Sequence, residues 1–255
     1  MSANPAVFAP VTQYDAIAGS YSQSKHSPLS RYVEAWSFLG WLGDVSGLTV
    51  LDLACGDGHY SRLLASRGAR CVHGIDISPQ MIALARGQSL LPGLSFAVGD
   101  ARCLAETGSY DLVCAAYLLH YARDVGELEA MCHGIASRLP PGGRFVALNE
   151  NPEQPEERYR GYLDYGFSKS VVSPRREGAP ITYAMVSGRE LFRFEVYHYE
   201  RRTYERALTA AGFTDIAWHA PAVDPAGIES HGAAYWREYL ENPPVLGLSC
   251  RRPGG

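Results

Sequence analysis

The sequence lacks several features, and each absence removes a class of function. No apolar run reaches the roughly 18 residues that a membrane-spanning helix needs; the longest, near "DLVCAAYLLHYA", stops short. Basic charge is not in excess: 23 Lys and Arg stand against 27 Asp and Glu, a net charge of −4. A nucleic-acid binder would usually show a basic face, and the pairs Arg175–Arg176 and Arg201–Arg202 are isolated enough to read as solvated surface. The cysteines (Cys55, Cys71, Cys103, Cys114, Cys132 and Cys250) include no CxxC pair. They fall mostly in apolar patterns and read as small buried hydrophobes of a reducing compartment. Cys132 and His133 are chain neighbours, which on a helix do not face one way, so no metal site is expected. The segment "MSANPAVFAPVTQYDAIAG" has no basic n-region and no continuous apolar h-region. A cytoplasmic protein without a signal peptide is therefore the expectation. There is neither an internal repeat nor a low-complexity tract.

What is present is alternation. "TVLDLAC", "RCVHGIDI", "LSFAVGDA", "YDLVCAAYLL" and "RFVALNE" are strand-like runs between residues 49 and 150. Helical patterns separate several of them. "HYSRLLASRG" ends on Gly68; "SPQMIALARGQ" offers Ser78 as N-cap and Pro79 at the first helical position. "DVGELEAMCHGIASRL" puts Val125, Leu128, Cys132, Ile135 and Leu139 on one face. Such alternation predicts an α/β fold with a doubly wound, mostly parallel sheet.

Three segments flank this core. Residues 1–48 read as helical and aromatic, a lid candidate; residues 151–200 read as an inserted cap, with "ITYAMVSG" and "RFEVYHYER" as an antiparallel pair. Residues 201–255 return to the core with a helix, a strand, a short aromatic insertion ending "YWREYL" and a last strand, "VLGLSC". The whole is expected to be one domain.

The stretch "VLDLACGDGHYS" runs from a strand through glycines into a helix. At the carboxyl end of a parallel strand, such a turn lets backbone N–H groups approach an anionic ligand. Ser61 stands where the third glycine of a dinucleotide fingerprint would be, which argues against a nicotinamide cofactor. Asp76 closes the second strand and is placed to take ribose hydroxyls, a feature dehydrogenases share. Asp100 closes the third strand, where a carboxylate can accept from an adenine amine.

The series "VLDLACGDG…GIDIS…GDA…YDLVCAAYLL…LPPGGRFV" resembles the class I S-adenosylmethionine-dependent methyltransferases over roughly residues 49–150. The resemblance implies a seven-stranded, Rossmann-like sheet with an antiparallel C-terminal strand, and S-adenosylmethionine as cofactor. By it, Asp52 orders the loop, Ala54 replaces a customary glycine, and Gly56 and Gly58 line the methionine moiety. Asp76 takes the ribose, Asp100 and Ala101 meet the adenine, and Ala116 and Tyr117 lie beside the methionine part. Tyr14, Tyr21, Lys25, Tyr60, Ile77, Met81 and Gly99 complete the cofactor-binding candidates. "YDAIAGSYSQSK", "AAYLLHYA" and "FEVYHYERRTYERALTAAGFTDIAWHAP" further resemble the bacterial subgroup around toxoflavin synthase, which implies methylation of small nitrogen heterocycles.

The acceptor site is less legible. Methyl transfer needs alignment above all, and a base only where the nucleophile must lose a proton. Candidate catalytic residues are His120, His198 and Tyr183. Tyr121, Tyr199 and Trp36 are candidates for contact with a flat aromatic substrate. Alternation in "FEVYHYE" places Phe194, Val196 and His198 on one face and Glu195, Tyr197 and Tyr199 on the other. Packing roles compete with functional ones at each of these positions. A small-molecule substrate, with neither nucleic acid nor membrane as partner, is the leading expectation. A cofactor-pocket protein that transfers no methyl, such as a cyclase or a sensor, is the alternative.

Overall fold

A computed structural model describes Asp15, Gly19, Ser22 and residues 24–88, 91–104, 108–172, 174–187 and 190–254. Tyr14 and Tyr21 lie outside the described residues. A seven-stranded sheet has the order β3-β2-β1-β4-β5-β10-β9. Its strands are β1 Thr49–Leu53, β2 Cys71–Asp76, β3 Leu94–Val98, β4 Leu112–Ala116, β5 Arg144–Glu150, β9 Thr214–His219 and β10 Val245–Arg251. β1 to β5 pair in parallel, and β10 runs antiparallel to both β5 and β9.

The near-continuous apolar strands follow from burial on both faces. Val50, Val72, Leu112, Cys114, Val146 and Leu148 pack with Phe38 and Leu42. Their chain neighbours Leu51, Val113, Phe145 and Ala147 pack on the opposite face with Leu128, Ile135 and Leu208. The helices supplying those faces are α1 Trp36–Leu42, α4 Val125–Ser137 and α5 Arg201–Ala210. α2 His59–Ser66 and α3 Pro79–Gly87 link the first three strands, and Ser78 caps α3 by accepting from Met81 N at 3.2 Å. Asp124 caps α4 in the same way, accepting from Glu127 N at 2.9 Å.

The cap has three strands where the sequence pattern predicts two: β6 Phe167–Val171, β7 Pro180–Ser187 and β8 Glu190–Tyr197, all antiparallel. β8 stops before His198 and Tyr199, so strand alternation does not carry to those two residues. The segment around "YWREYL" forms two helices, α6 Pro225–His231 and α7 Ala233–Glu241. A π-helical stretch, Ser30–Ala35, leads into α1.

Candidate active site

A cleft of about 340 Å³ opens at the carboxyl ends of β1 to β4. Strand order reverses between β1 and β4, where an open α/β sheet offers its ligand crevice. Ala54, Gly56, Asp76, Ile77, Met81, Gly99, Asp100, Ala101, Ala116 and Tyr117 line it. Asp52, Gly58 and Tyr60 stand behind the lining. Asp52 accepts from Ser61 Oγ at 2.5 Å and so ties β1 to α2. Burial pushes its carboxyl up to about 7. Gly58 has φ +82°, and a Cβ there would come within 2.6 Å of the Phe96 ring. The ring thus packs directly beneath the loop, a closeness only glycine allows.

Gly56 also lies in the left-handed region, at φ +56°, but a Cβ there would meet no atom within 4 Å. It faces open space, as a ligand cradle requires. Its N–H donates to Asp76 Oδ2 at 2.8 Å, and Ser78 N–H donates to Asp76 Oδ1 at 2.8 Å. Asp76 therefore has both oxygens held by main chain and keeps a second lone pair on each for donors of a ligand. Desolvation raises its pKa. Asp100 is engaged by Arg102, whose Nε donates at 2.9 Å and Nη2 at 2.5 Å; Arg102 Nη1 donates to Glu127 at 2.6 Å. That ion-paired edge of the cleft is completed by Arg123 bonded to Glu127 and has no motif in the sequence. Its one sequence signal is the four-residue spacing of Arg123 and Glu127.

Tyr117 sits at φ +68°, a strained setting for a bulky residue and one that clusters at functional sites. Its backbone N–H is fixed to Leu148 O at 2.8 Å and its hydroxyl donates to Glu34. The Lys25 ammonium lies 4.8 Å from its ring centroid. Tyr117 and Tyr121 also line a second, narrower cavity of about 60 Å³ between the N-terminal segment, the cap and α7. Lys25, His120 and Tyr183 line this second cavity rather than the cleft, with Tyr165, Phe167, Phe194 and Tyr239 as further aromatic wall.

His120 is buried, with Nδ1 3.0 Å from Asn149 Oδ1 and 3.2 Å from the Glu150 N–H. β5 thus occupies its Nδ1 edge and leaves Nε2 as the edge a ligand can meet. Burial pulls its pKa down to about 3. So weak a base suits hydrogen bonding to a substrate rather than proton removal. Tyr183 donates its hydroxyl to Glu150.

The structure does not bring every candidate here. His198 lines neither cavity; it is buried after β8, where its backbone bonds Gly178 and Ala179. Tyr199 donates to Ala122 O at 2.9 Å and packs edge-on against Tyr204, so it serves the core. Trp36 is 43% exposed and lines neither cavity. Conversely, Ser30, Glu34, Tyr165 and Tyr239 face the second cavity although no local pattern marks them.

Among known proteins, residues 50–143 match the family described as "Methyltransferase domain". An N-demethylindolmycin N-methyltransferase of Streptomyces griseus is 28% identical over 69% of this chain and 75% of its own length. A ubiquinone biosynthesis O-methyltransferase of Burkholderia orbicola is 34% identical over 44% of this chain, which spans only about half, 51%, of that relative. The structure of an S-adenosylmethionine dependent methyltransferase from Mesorhizobium loti superposes with a TM-score of 0.61 at 23% identity, covering 90% of this chain and 100% of the other. That last likeness concerns the fold.

Proposed function

We propose that the chain is a class I S-adenosylmethionine-dependent methyltransferase that methylates a nitrogen or oxygen of a small aromatic or heterocyclic metabolite held in the second cavity. The observation that carries this reading is the shared wall: Tyr117 and Tyr121 border both the cleft and the ring-lined cavity. A methyl group bound in the first space meets an acceptor in the second across those two residues.

S-Adenosylmethionine supplies an electrophilic methyl on a sulfonium. The chain's own residues do the rest by holding and excluding. Asp76 would accept from the ribose, Gly56 would give the backbone room, and Ala101, Gly99 and Asp100 would border the adenine. Asp100 keeps its side chain 25% exposed, so it can share its carboxylate between Arg102 and an adenine amine. Ser22 Oγ donates to Asp57 at 2.5 Å and Ser78 Oγ donates to Asp15 at 2.5 Å. Those bonds hold Ser22 against the loop after β1 and Asp15 against the residue that caps α3, both beside the cleft. Alignment of this kind supplies roughly 7–11 kcal/mol of barrier reduction.

The narrow second cavity, lined by aromatic rings, favours a flat metabolite over a nucleic-acid or protein acceptor. Nitrogen is favoured over oxygen because the N-methyltransferase relative matches over 69% of the chain, against 44% for the O-methyltransferase. The test is incubation with trideuteromethyl S-adenosylmethionine and a panel of aromatic amines, azoles and phenols, read by mass spectrometry. Label on one or more panel members supports the reading. Cofactor binding by calorimetry without label on any member rejects it.

A further inference from the structure

We propose that Glu34 selects an azole-type acceptor, a flat ring in which an N–H is conjugated with a lone-pair nitrogen, and takes the N–H proton as the other nitrogen is methylated. This deepens the proposed function and rests on it. Among the described residues that line the second cavity, Glu34 is the one carboxylate. It stands at the wall the two spaces share, because its Oε1 accepts from the Tyr117 hydroxyl. Its Oε2 lies 3.9 Å from Lys25 Nζ, too far for a hydrogen bond, so that oxygen keeps its acceptor capacity.

A second observation points to a ligand at the same place. Ser30 precedes Glu34 by four residues on the π-helical stretch and also lines the cavity. It is 3% exposed, and its hydroxyl has no hydrogen-bond partner among the described residues. Buried hydroxyls are normally bonded, so a polar atom of the acceptor is the partner the site is built for. The π-helical geometry, itself frequent at functional sites, turns both side chains to the same space. His120, whose Nδ1 is taken by β5, also lines the cavity and has Nε2 as a third polar atom for the acceptor.

The step balances. The lone-pair nitrogen of the ring forms the bond to the methyl carbon. The carbon–sulfur bond breaks and its electron pair stays on sulfur, giving the neutral thioether. The N–H electron pair enters the ring while the proton passes to Glu34 Oε2, and from there to solvent when product leaves. The methylated ring has lost the donor that Glu34 reads, so product is held more weakly than substrate.

The test titrates benzimidazole and 1-methylbenzimidazole into protein saturated with S-adenosylhomocysteine, by calorimetry, for the wild type, Glu34→Gln and Glu34→Ala. The wild type is expected to prefer the N–H probe at least about tenfold, as befits a site built to bond a ring N–H. Glu34→Ala is expected to reduce the preference below about threefold with S-adenosylhomocysteine affinity unchanged. Glu34→Gln is expected to keep part of the preference but to lose methyl transfer by roughly 100-fold, the loss of a base. Equal binding of both probes to the wild type overturns the role of Glu34 while leaving the second cavity as acceptor site. An unchanged preference in Glu34→Ala does the same. Binding of neither probe to protein that binds S-adenosylhomocysteine overturns both the role of Glu34 and the acceptor site.

Discussion

Lys169→Met is the perturbation that best probes how the cap is fastened over the acceptor cavity. Lys169 on β6 has no exposed side-chain surface, and its partner Glu150, at the end of β5, has 2%. The ammonium donates to Glu150 and to Gln154, and the Tyr183 hydroxyl donates to the other Glu150 oxygen. The Tyr159 ring centroid lies 4.2 Å from the same ammonium. Desolvation pulls the Lys169 pKa down, partly opposed by the attraction of Glu150. Methionine keeps the length of the stem but leaves a buried carboxylate with one donor. Removing one member of a buried pair costs about 3–5 kcal/mol. In a chain of 255 residues each kcal/mol corresponds to about 2 °C, so Tm should fall by about 6–10 °C. The double variant Lys169→Met/Glu150→Gln removes the stranded charge and keeps an acceptor for Tyr183, and should recover at least about half of that loss. Urea unfolding and thermal melts read both. Because β6 and β7 wall the acceptor cavity, the single variant should also raise KM for acceptor without changing S-adenosylhomocysteine affinity. A single variant within about 1 kcal/mol of wild type would refute the pair's role.

Asp76→Asn should weaken S-adenosylhomocysteine binding about 10- to 150-fold in calorimetry, the loss of charge-assisted hydrogen bonds worth about 1.5–3 kcal/mol; a change under threefold would place the ribose elsewhere. Ala54→Gly should raise stability by about 0.5–1 kcal/mol, because Ala54 holds φ +54°; a lower Tm would contradict the strain argument. His120 has a folded pKa of about 3, below the ordinary 6.5. Its contribution to stability is therefore present above pH 6.5 and is lost as pH falls from there toward 3. Between pH 6.5 and about 5 the loss amounts to about 2 kcal/mol. His120→Gln should accordingly show a shallower fall of Tm on acidification, and an unchanged slope would sink the assignment.

The sequence made the cofactor half of the molecule legible for a physical reason. β1 to β5 are buried on both faces, so their composition alone marks them, and the loops at their ends carry the ligand groups in a few adjacent residues. Asp76 and Gly56 stand out in the sequence because both lie in the short loops at strand ends that line the cleft. The second cavity is assembled from distant pieces: Ser30 and Glu34, Tyr117 and His120, the cap, and Tyr239 meet only through tertiary packing. β6 escaped detection because Lys169 stands at its centre, and a lysine in a five-residue run argues against a buried strand until Glu150 is seen beside it. His198 is the opposite case: the period-two pattern runs two residues past the end of β8 at Tyr197, and α5 begins at Arg201.

A crystal structure with S-adenosylhomocysteine bound is the decisive experiment. The ribose is expected on Asp76, the adenine between Gly99 and Ala101, and the sulfur facing Tyr117 and Tyr121 with the second cavity open beyond it. A sulfur directed away from that shared wall, or an acceptor cavity sealed from the sulfur by Tyr117, would contradict the proposed function.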